Sequence, residues 1–178
     1  MASKQYSAPP AMTVDPKKTY EAVLHTNFGD VTVQLLADVA PNAVNSFVFL
    51  AREGFYEGVK FHRVVSGFVI QGGDPTGTGS GGPGYRFKDE LPSASLDYDR
   101  GMLAMANSGP NTNGSQFFIT LDNLKGSLPK NYTIFGKVTA GMDAVDKIAA
   151  VPKQMGGDGA QSSPISPVLI NSVTVTEK

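Results

Sequence analysis

Residues 61–75 read FHRVVSGFVIQGGDP. Two short runs rich in aromatic and β-branched residues, 61–65 and 68–71, flank Ser66–Gly67, and this pattern predicts two strands joined by a tight turn. Arg63 sits inside the first run, and Gln71 closes the second. No carboxylate, cysteine or serine–histidine pair stands beside them with an obvious role. Any chemistry here must use a cation and an amide on an apolar surface, with no nucleophile. By the two-residue period of a strand, His62 points to the opposite face from Arg63, as expected for a core histidine bonded to backbone. Residues 72–84, GGDPTGTGSGGPG, predict a long glycine-rich loop.

Working outward, EAVLHTNFGDVTVQLL (21–36) predicts a hairpin: Val31, Val33 and Leu35 alternate with Thr32 and Gln34, and residues 27–30 carry the turn chemistry. PNAVNSFVFLAREG (41–54) predicts a helix. Pro41 suits its first turn, Val44, Phe47, Leu50 and Ala51 line one face, and Gly54 can end it. Further strands are predicted at 102–106, 116–120, 133–138 and 168–175, and a second helix in 141–152 with Pro152 just past its end. The pattern is about eight short strands and two helices. Eight antiparallel strands commonly escape the edge problem by closing, so the expected fold is mainly β: a closed eight-stranded antiparallel β-barrel capped by two α-helices. Residues 1–18 are expected to form an N-terminal arm, poorly ordered or strapped on the surface, and 19–178 one domain.

Composition narrows the chemistry. The chain has 178 residues, a formal net charge of −1, and no long basic block, which argues against a nucleic-acid face. It has no cysteine, so thiolate and disulfide chemistry are excluded, and with two histidines a structural zinc site lacks ligands. No apolar run is long enough for a secretory signal or a bilayer span, so a cytoplasmic protein is expected. GTGSGG (77–82) matches a dinucleotide-binding glycine pattern, but Pro83–Gly84 follows where a helix must start. DYDRG (97–101) lacks the acids of a calcium loop. A hydrolase using Ser115 or Ser80 with His62 is the remaining nucleophilic reading, and no G-x-S-x-G elbow supports it.

NSGPNTNGSQFFIT (107–120) places Gln116 and Phe118 on one strand face and Phe117 and Ile119 on the other. Val69 and Gln71 likewise share a face. Simple alternation of core and solvent accounts for Phe117 and Ile119 but leaves Phe118 as a large exposed aromatic. If the two faces adjoin, they form an apolar pocket floored by Phe118 and Val69, walled by Phe68, and edged by Gln71, Gln116 and Arg63.

FHRVVSGFVIQGGDP and MANSGPNTNGSQFFIT strongly resemble the cyclophilin family of peptidyl-prolyl cis–trans isomerases, and GYRFKDE (84–90) and IFGKVTAGMDAVDKI (134–148) extend the match across residues 19–176. The resemblance implies the same capped barrel. It also implies an enzyme that accelerates rotation about X–Pro bonds in protein substrates, assisting folding. Carried over by position, Arg63 matches the catalytic arginine, hydrogen bonding to the prolyl nitrogen in the twisted transition state. Gln71 matches the glutamine that orients it. Phe68, Val69 and Phe118 match the proline pocket, although many members have methionine where Val69 stands. Ala106, Asn107 and Gln116 match the groove for the peptide backbone, and Gly77 and Ser108 the margin of a neighbouring pocket. Leu128 matches a pocket leucine. Many members carry a tryptophan before that leucine and a histidine ahead of the following strand, whereas this chain has Ser127 and Tyr132, and no tryptophan anywhere. The resemblance implies no cofactor and no metal, a monomer, proline-containing peptides and proteins as partners, and weakened cyclosporin binding for want of the indole.

Overall fold

The computed structural model describes residues 4–178. Strand β1 (Tyr20–Thr26) turns at Asn27–Phe28 into β2 (Gly29–Leu35), with Ala22 opposite Val33 and Leu24 opposite Val31. Thr26 makes the turn: its hydroxyl donates to Gly29 O and accepts from Phe28 N–H. Helix α1 (Pro41–Arg52) follows, then β3 (Val59–Lys60), β4 (Arg63–Val65), β5 (Val69–Gly72), β6 (Met102–Met105), β7 (Phe117–Thr120), β8 (Ile134–Ala140), α2 (Met142–Ala149), β9 (Lys153–Met155), β10 (Gln161–Pro164) and β11 (Leu169–Glu177).

The main sheet is antiparallel throughout, in the order β3-β11-β1-β2-β8-β6-β7-β5-β4. It departs from the expected barrel in two ways. It has nine strands rather than eight, and its hydrogen-bond ladder does not close: β3 and β4 are its two edges. The reason lies in the quoted stretch. The run expected as a strand over 61–65 pairs only from Arg63, where β4 meets β5; the residues before it form an extra strand, β3, on β11, and Phe61 N–H donates to Val168 O (2.9 Å) between the two. One chain segment serves both edges and leaves one partner for the other at Phe61–His62, so the sheet curls around to an open seam there. Gly72 lies at that seam: a Cβ there would fall 2.7 Å from Lys60 O and 3.0 Å from the Phe61 ring.

Strand alternation gives the sheet two apolar faces. Inward, the register sets Val64, Ile70, Ile119 and Leu103 side by side, all fully buried. Phe47 of α1 packs there against Tyr56, Phe117 and Phe135, with ring centroids 5.2, 5.7 and 5.4 Å apart. Helix α2 buries Ala144, Val145 and Ile148. It ends at Ala149, short of Pro152, and the chain passes into the β9–β10 hairpin, a separate two-stranded sheet. That hairpin escapes sequence reading because KQM and QSSP are polar and do not alternate. Outward, Val69, Phe118, Met102, Ala104 and Ile134 form a second cluster with Tyr98 and Leu124.

The N-terminal segment from Lys4 runs over α1. Buried Asn45 accepts from the Thr13 and Val14 N–H groups (2.9 and 3.2 Å) and donates to Ala11 O (3.1 Å). Val14 is buried in the core, and the Tyr6 ring meets Phe49 edge-on at 5.0 Å. Tyr6 N–H donates to Pro83 O (2.8 Å), tying the segment to the glycine-rich loop. Residues 1–3 of the predicted arm lie outside the described residues. Among the described residues no helix is long and apolar enough to cross a membrane.

Candidate active site

The site is written in the register of three adjacent strands. Arg63 on β4 lies opposite Gln71 on β5, Gln71 lies opposite Phe118 on β7, and Phe118 lies opposite Ala104 on β6. Directly opposed residues share a sheet face, so this row lies on the outer face, beside the second apolar cluster. Phe118 is 5% exposed and belongs to the second buried cluster, so it is not a bare surface ring. Tyr132 meets it edge-on at 5.5 Å, while Val69, Leu124 and Met102 are buried in the same cluster, with Leu128 packed against it. The buried Tyr98 hydroxyl fixes Tyr132 by donating to its C=O (2.7 Å) and accepting from its N–H (3.1 Å). Burial pushes the Tyr98 phenol up to about 12, so it stays a donor.

Polar groups edge this apolar floor in a single chain. Arg63 Nη1 donates to Gln71 Oε1 (3.4 Å), Gln71 Nε2 to Gln116 Oε1 (3.2 Å), and Gln116 Nε2 to Gly79 O (2.9 Å) and Gly81 O (3.0 Å). The Arg63 guanidinium carbon lies 5.9 Å from the centroid of the Phe68 ring, within cation–π range. Arg63 Nε donates to Asp158 Oδ2 (2.9 Å), a partner 95 residues away that no local pattern announces.

Beside this row opens a groove of about 850 Å³, lined by Gln71, Gln116, residues 79–86 and Ala106–Ser108. Ala106 N–H donates to Gln116 O (3.0 Å). The Asn107 side chain ties two loops, donating to Asn131 O (3.0 Å) and accepting from Gly109 N–H (3.2 Å). Neither backbone group of Asn107 is taken up by a hydrogen bond within the described residues. Ser108 N–H donates to Thr112 Oγ1 (2.8 Å) at the groove margin.

Gly77 is not at this margin. A Cβ there would lie 3.5 Å from the Lys60 side chain, and the residue borders a separate hollow of about 210 Å³ with His62 and Ile165. Gly79 and Gly81 occupy the expected place. One glycine in GTGSGG looks like another in sequence, and only the fold of the loop sets which carbonyls reach Gln116.

That fold is organised by Asp74, a residue the sequence reading passed over although it lies in the quoted stretch. It is fully buried. Oδ1 accepts from the Thr76 N–H and hydroxyl (both 2.7 Å), and Oδ2 accepts from the N–H groups of Thr78 (3.1 Å), Gly79 (2.7 Å) and Gly81 (3.1 Å). Burial opposes ionisation, yet the bonds from Thr76, Gly81 and Gly79 prevail and hold the carboxyl at about 2. A Cβ on Gly81 would fall 2.1 Å from Asp74 Oδ1, so glycine is required there.

The nucleophilic alternative has no geometry behind it. Buried Ser115 donates its hydroxyl to Gly73 O (2.7 Å), and no hydrogen bond joins Ser115 or Ser80 to His62 among the described residues. Burial lowers the His62 pKa, and its Nδ1 has no partner among the described residues. Nor do those residues bring three or more His, Cys, Asp or Glu together as metal ligands.

Comparison with known proteins agrees with this geometry. The family model described as "Cyclophilin type peptidyl-prolyl cis-trans isomerase/CLD" matches residues 22–175. The chain belongs to the cyclophilin-type peptidyl-prolyl cis–trans isomerase family. It is 44% identical to peptidyl-prolyl cis-trans isomerase-like 3 of Dictyostelium discoideum, over 85% of this chain and 92% of that one. It is 43% identical to peptidyl-prolyl cis-trans isomerase A of Mycobacterium tuberculosis, over 93% and 97%. A cyclophilin-type isomerase of Cryptosporidium parvum, crystallised in the presence of the dipeptide ala-pro, superposes with a TM-score of 0.81 at 38% identity, covering 89% of this chain and 99% of that one. In this cyclophilin, the Tyr132 ring packs edge-on against Phe118. Ser127 N–H donates to Leu124 O (3.0 Å) and supplies no ring.

Proposed function

We propose that this cyclophilin catalyses cis–trans isomerisation of X–Pro peptide bonds in protein substrates, and so assists their folding, with Arg63 as the catalytic group. The observation that carries the reading is the cross-strand row, which sets a guanidinium and an amide beside an apolar floor on one sheet face.

An X–Pro amide resists rotation because its nitrogen lone pair is delocalised into the carbonyl, with a barrier of about 18–20 kcal/mol and exchange times of roughly 10–100 s. No bond need break. In the twisted state the lone pair is localised on nitrogen and can accept a hydrogen bond, which the planar ground state scarcely allows. A guanidinium held over the ring therefore stabilises the transition state selectively. Arginine suits the task because it stays protonated and holds its donors in a rigid fork. The outer pocket formed by Phe118, Val69 and Phe68 clamps the proline ring, while the open backbone groups of Asn107 pair with the flanking peptide. Gln71 and Gln116 keep the guanidinium and the groove wall in register. Proline-containing peptides and proteins are the substrates under this reading, and cyclosporin is a weak ligand because no indole borders the pocket.

Exchange spectroscopy on a proline peptide, with the enzyme at catalytic concentration, tests the reading. Wild-type protein is expected to speed interconversion, and Arg63→Ala to lower kcat by about 100-fold with its near-ultraviolet circular dichroism intact. Unaltered turnover in that variant rules out the arginine; binding without faster interconversion by wild type rules out the enzyme.

A further inference from the structure

We propose that Asp158 is a positioning residue for Arg63, fixing the guanidinium plane over the proline-binding face; the proposal rests on the arginine mechanism above. Asp158 sits at the tip of the β9–β10 hairpin, outside the main sheet, and does not border the groove. The tip is built around its carboxylate. Oδ1 accepts from the Ser162 hydroxyl (2.6 Å) and the Ala160 N–H (3.0 Å), leaving Oδ2 for Arg63 Nε (2.9 Å). Gly156 makes room for this turn: a Cβ there would lie 2.5 Å from Ser162 Oγ and 3.1 Å from Asp158 Oδ1.

The division of donors gives the arrangement its meaning. A guanidinium carries five N–H groups in a plane. Asp158 takes the Nε–H and Gln71 takes one on Nη1, the latter at 3.4 Å, close to the outer limit of a hydrogen bond. Two anchors on one rigid fork set its plane, and the other Arg63 donors, which have no partner among the described residues, can meet the prolyl nitrogen. Without Asp158, the restraints left on the side chain among the described residues would be the long Gln71 contact and the Phe68 ring. The pair is partly shielded, with 32% of the Arg63 side chain and 26% of the Asp158 side chain exposed. Such a pair adds little to global stability, so its effect belongs in turnover. Bonds from Ser162, Ala160 and Arg63 hold the Asp158 carboxyl at about 2, which keeps it anionic at working pH.

Asp158→Asn isolates the interaction. The amide oxygen can still accept from Ser162 and Ala160, whereas the amide nitrogen faces the Arg63 Nε–H, donor to donor. The expected result is a kcat lowered about fivefold to tenfold, with KM for the peptide and Tm unchanged. In wild type, the Arg63 Nε–H proton is expected to give a slowly exchanging NMR resonance, lost in Asp158→Asn. In an Arg63→Lys background, Asp158→Asn is expected to have no further effect on kcat. An unchanged or raised kcat in Asp158→Asn, a change confined to KM, or no protected Arg63 Nε–H in wild type overturns the proposal. Arg63→Ala, measured beside it, separates the two readings. If that variant is inactive while Asp158→Asn is fully active, Asp158 alone falls; if Arg63→Ala is fully active, the arginine reading falls first.

Discussion

At Arg63 and Phe118 the same backbone rule does two jobs. Opposed residues on neighbouring strands share a face, so one row carries a cation, an amide and a ring floor. The fork matters as much as the charge. Arg63→Lys keeps a cation but has no Nε–H for Asp158 and no planar pair of donors for substrate. It is expected to lower kcat/KM at least about tenfold with unchanged thermal stability, checked by the exchange assay and a melting curve. Phe118→Ala removes a ring from the buried cluster that holds it. That variant is expected to raise KM and to cost about 3–5 kcal/mol of stability. Phe118→Leu, measured by urea unfolding and peptide titration, keeps more of the packing and shows the binding defect in a folded protein. Alternation alone left Phe118 between exposed surface and pocket floor, and only the family resemblance favoured the pocket. Its alternation names a face but not what covers that face, and the covering residues, Tyr132 and Leu124, come from a distant loop.

Among the elements, the glycine-rich loop depends on Asp74 as a compact domain depends on a core residue. Six donors converge on one buried carboxylate, and the loop in turn presents Gly79 O and Gly81 O to Gln116. Asp74→Asn places an amide nitrogen among N–H groups. It is expected to lower stability by about 1.5–3 kcal/mol and to reduce activity by releasing the Gln116 wall, both read from urea unfolding and turnover. The pH dependence has a definite sign. The folded pKa of about 2 lies below the carboxyl's ordinary 3.8. The Asp74 contribution is therefore fully present above about pH 4 and is lost as pH falls toward 2. Unfolding free energy measured from pH 5 to 2 should fall in wild type and fall less in Asp74→Asn. Helices α1 and α2 and strands β1, β2, β4, β5, β6, β7, β8 and β11 were legible from periodicity and turn residues. The two-residue β3 was not, because it carries too few residues to show a period, nor was the polar β9–β10 hairpin.

For the whole molecule, the open seam and the N-terminal segment are the features that depend on distant contacts. Residues 11–14 satisfy buried Asn45, and Val14 joins the inner core. Deleting residues 1–14 strips an apolar side chain from the core and leaves Asn45 polar atoms without these partners. The expected cost is about 2–5 kcal/mol, measured by denaturant unfolding. Full activity below the new melting temperature would show that the segment stabilises the fold rather than the site.

What the sequence determined by itself was local. Alternation assigned strand faces and turn residues ended them, because backbone geometry repeats over a few residues wherever the chain goes, and the resemblance of two long motifs to the cyclophilin family singled out Arg63, Gln71, Gln116 and Phe118 as candidates. Tertiary structure alone decided that residues 59–65 divide between the two edges of an open nine-stranded sheet, that Gly79 and Gly81 rather than Gly77 border the groove, and that Asp158 meets Arg63. Each of these depends on which distant segments share space, and residue spacing along a chain carries no measure of that.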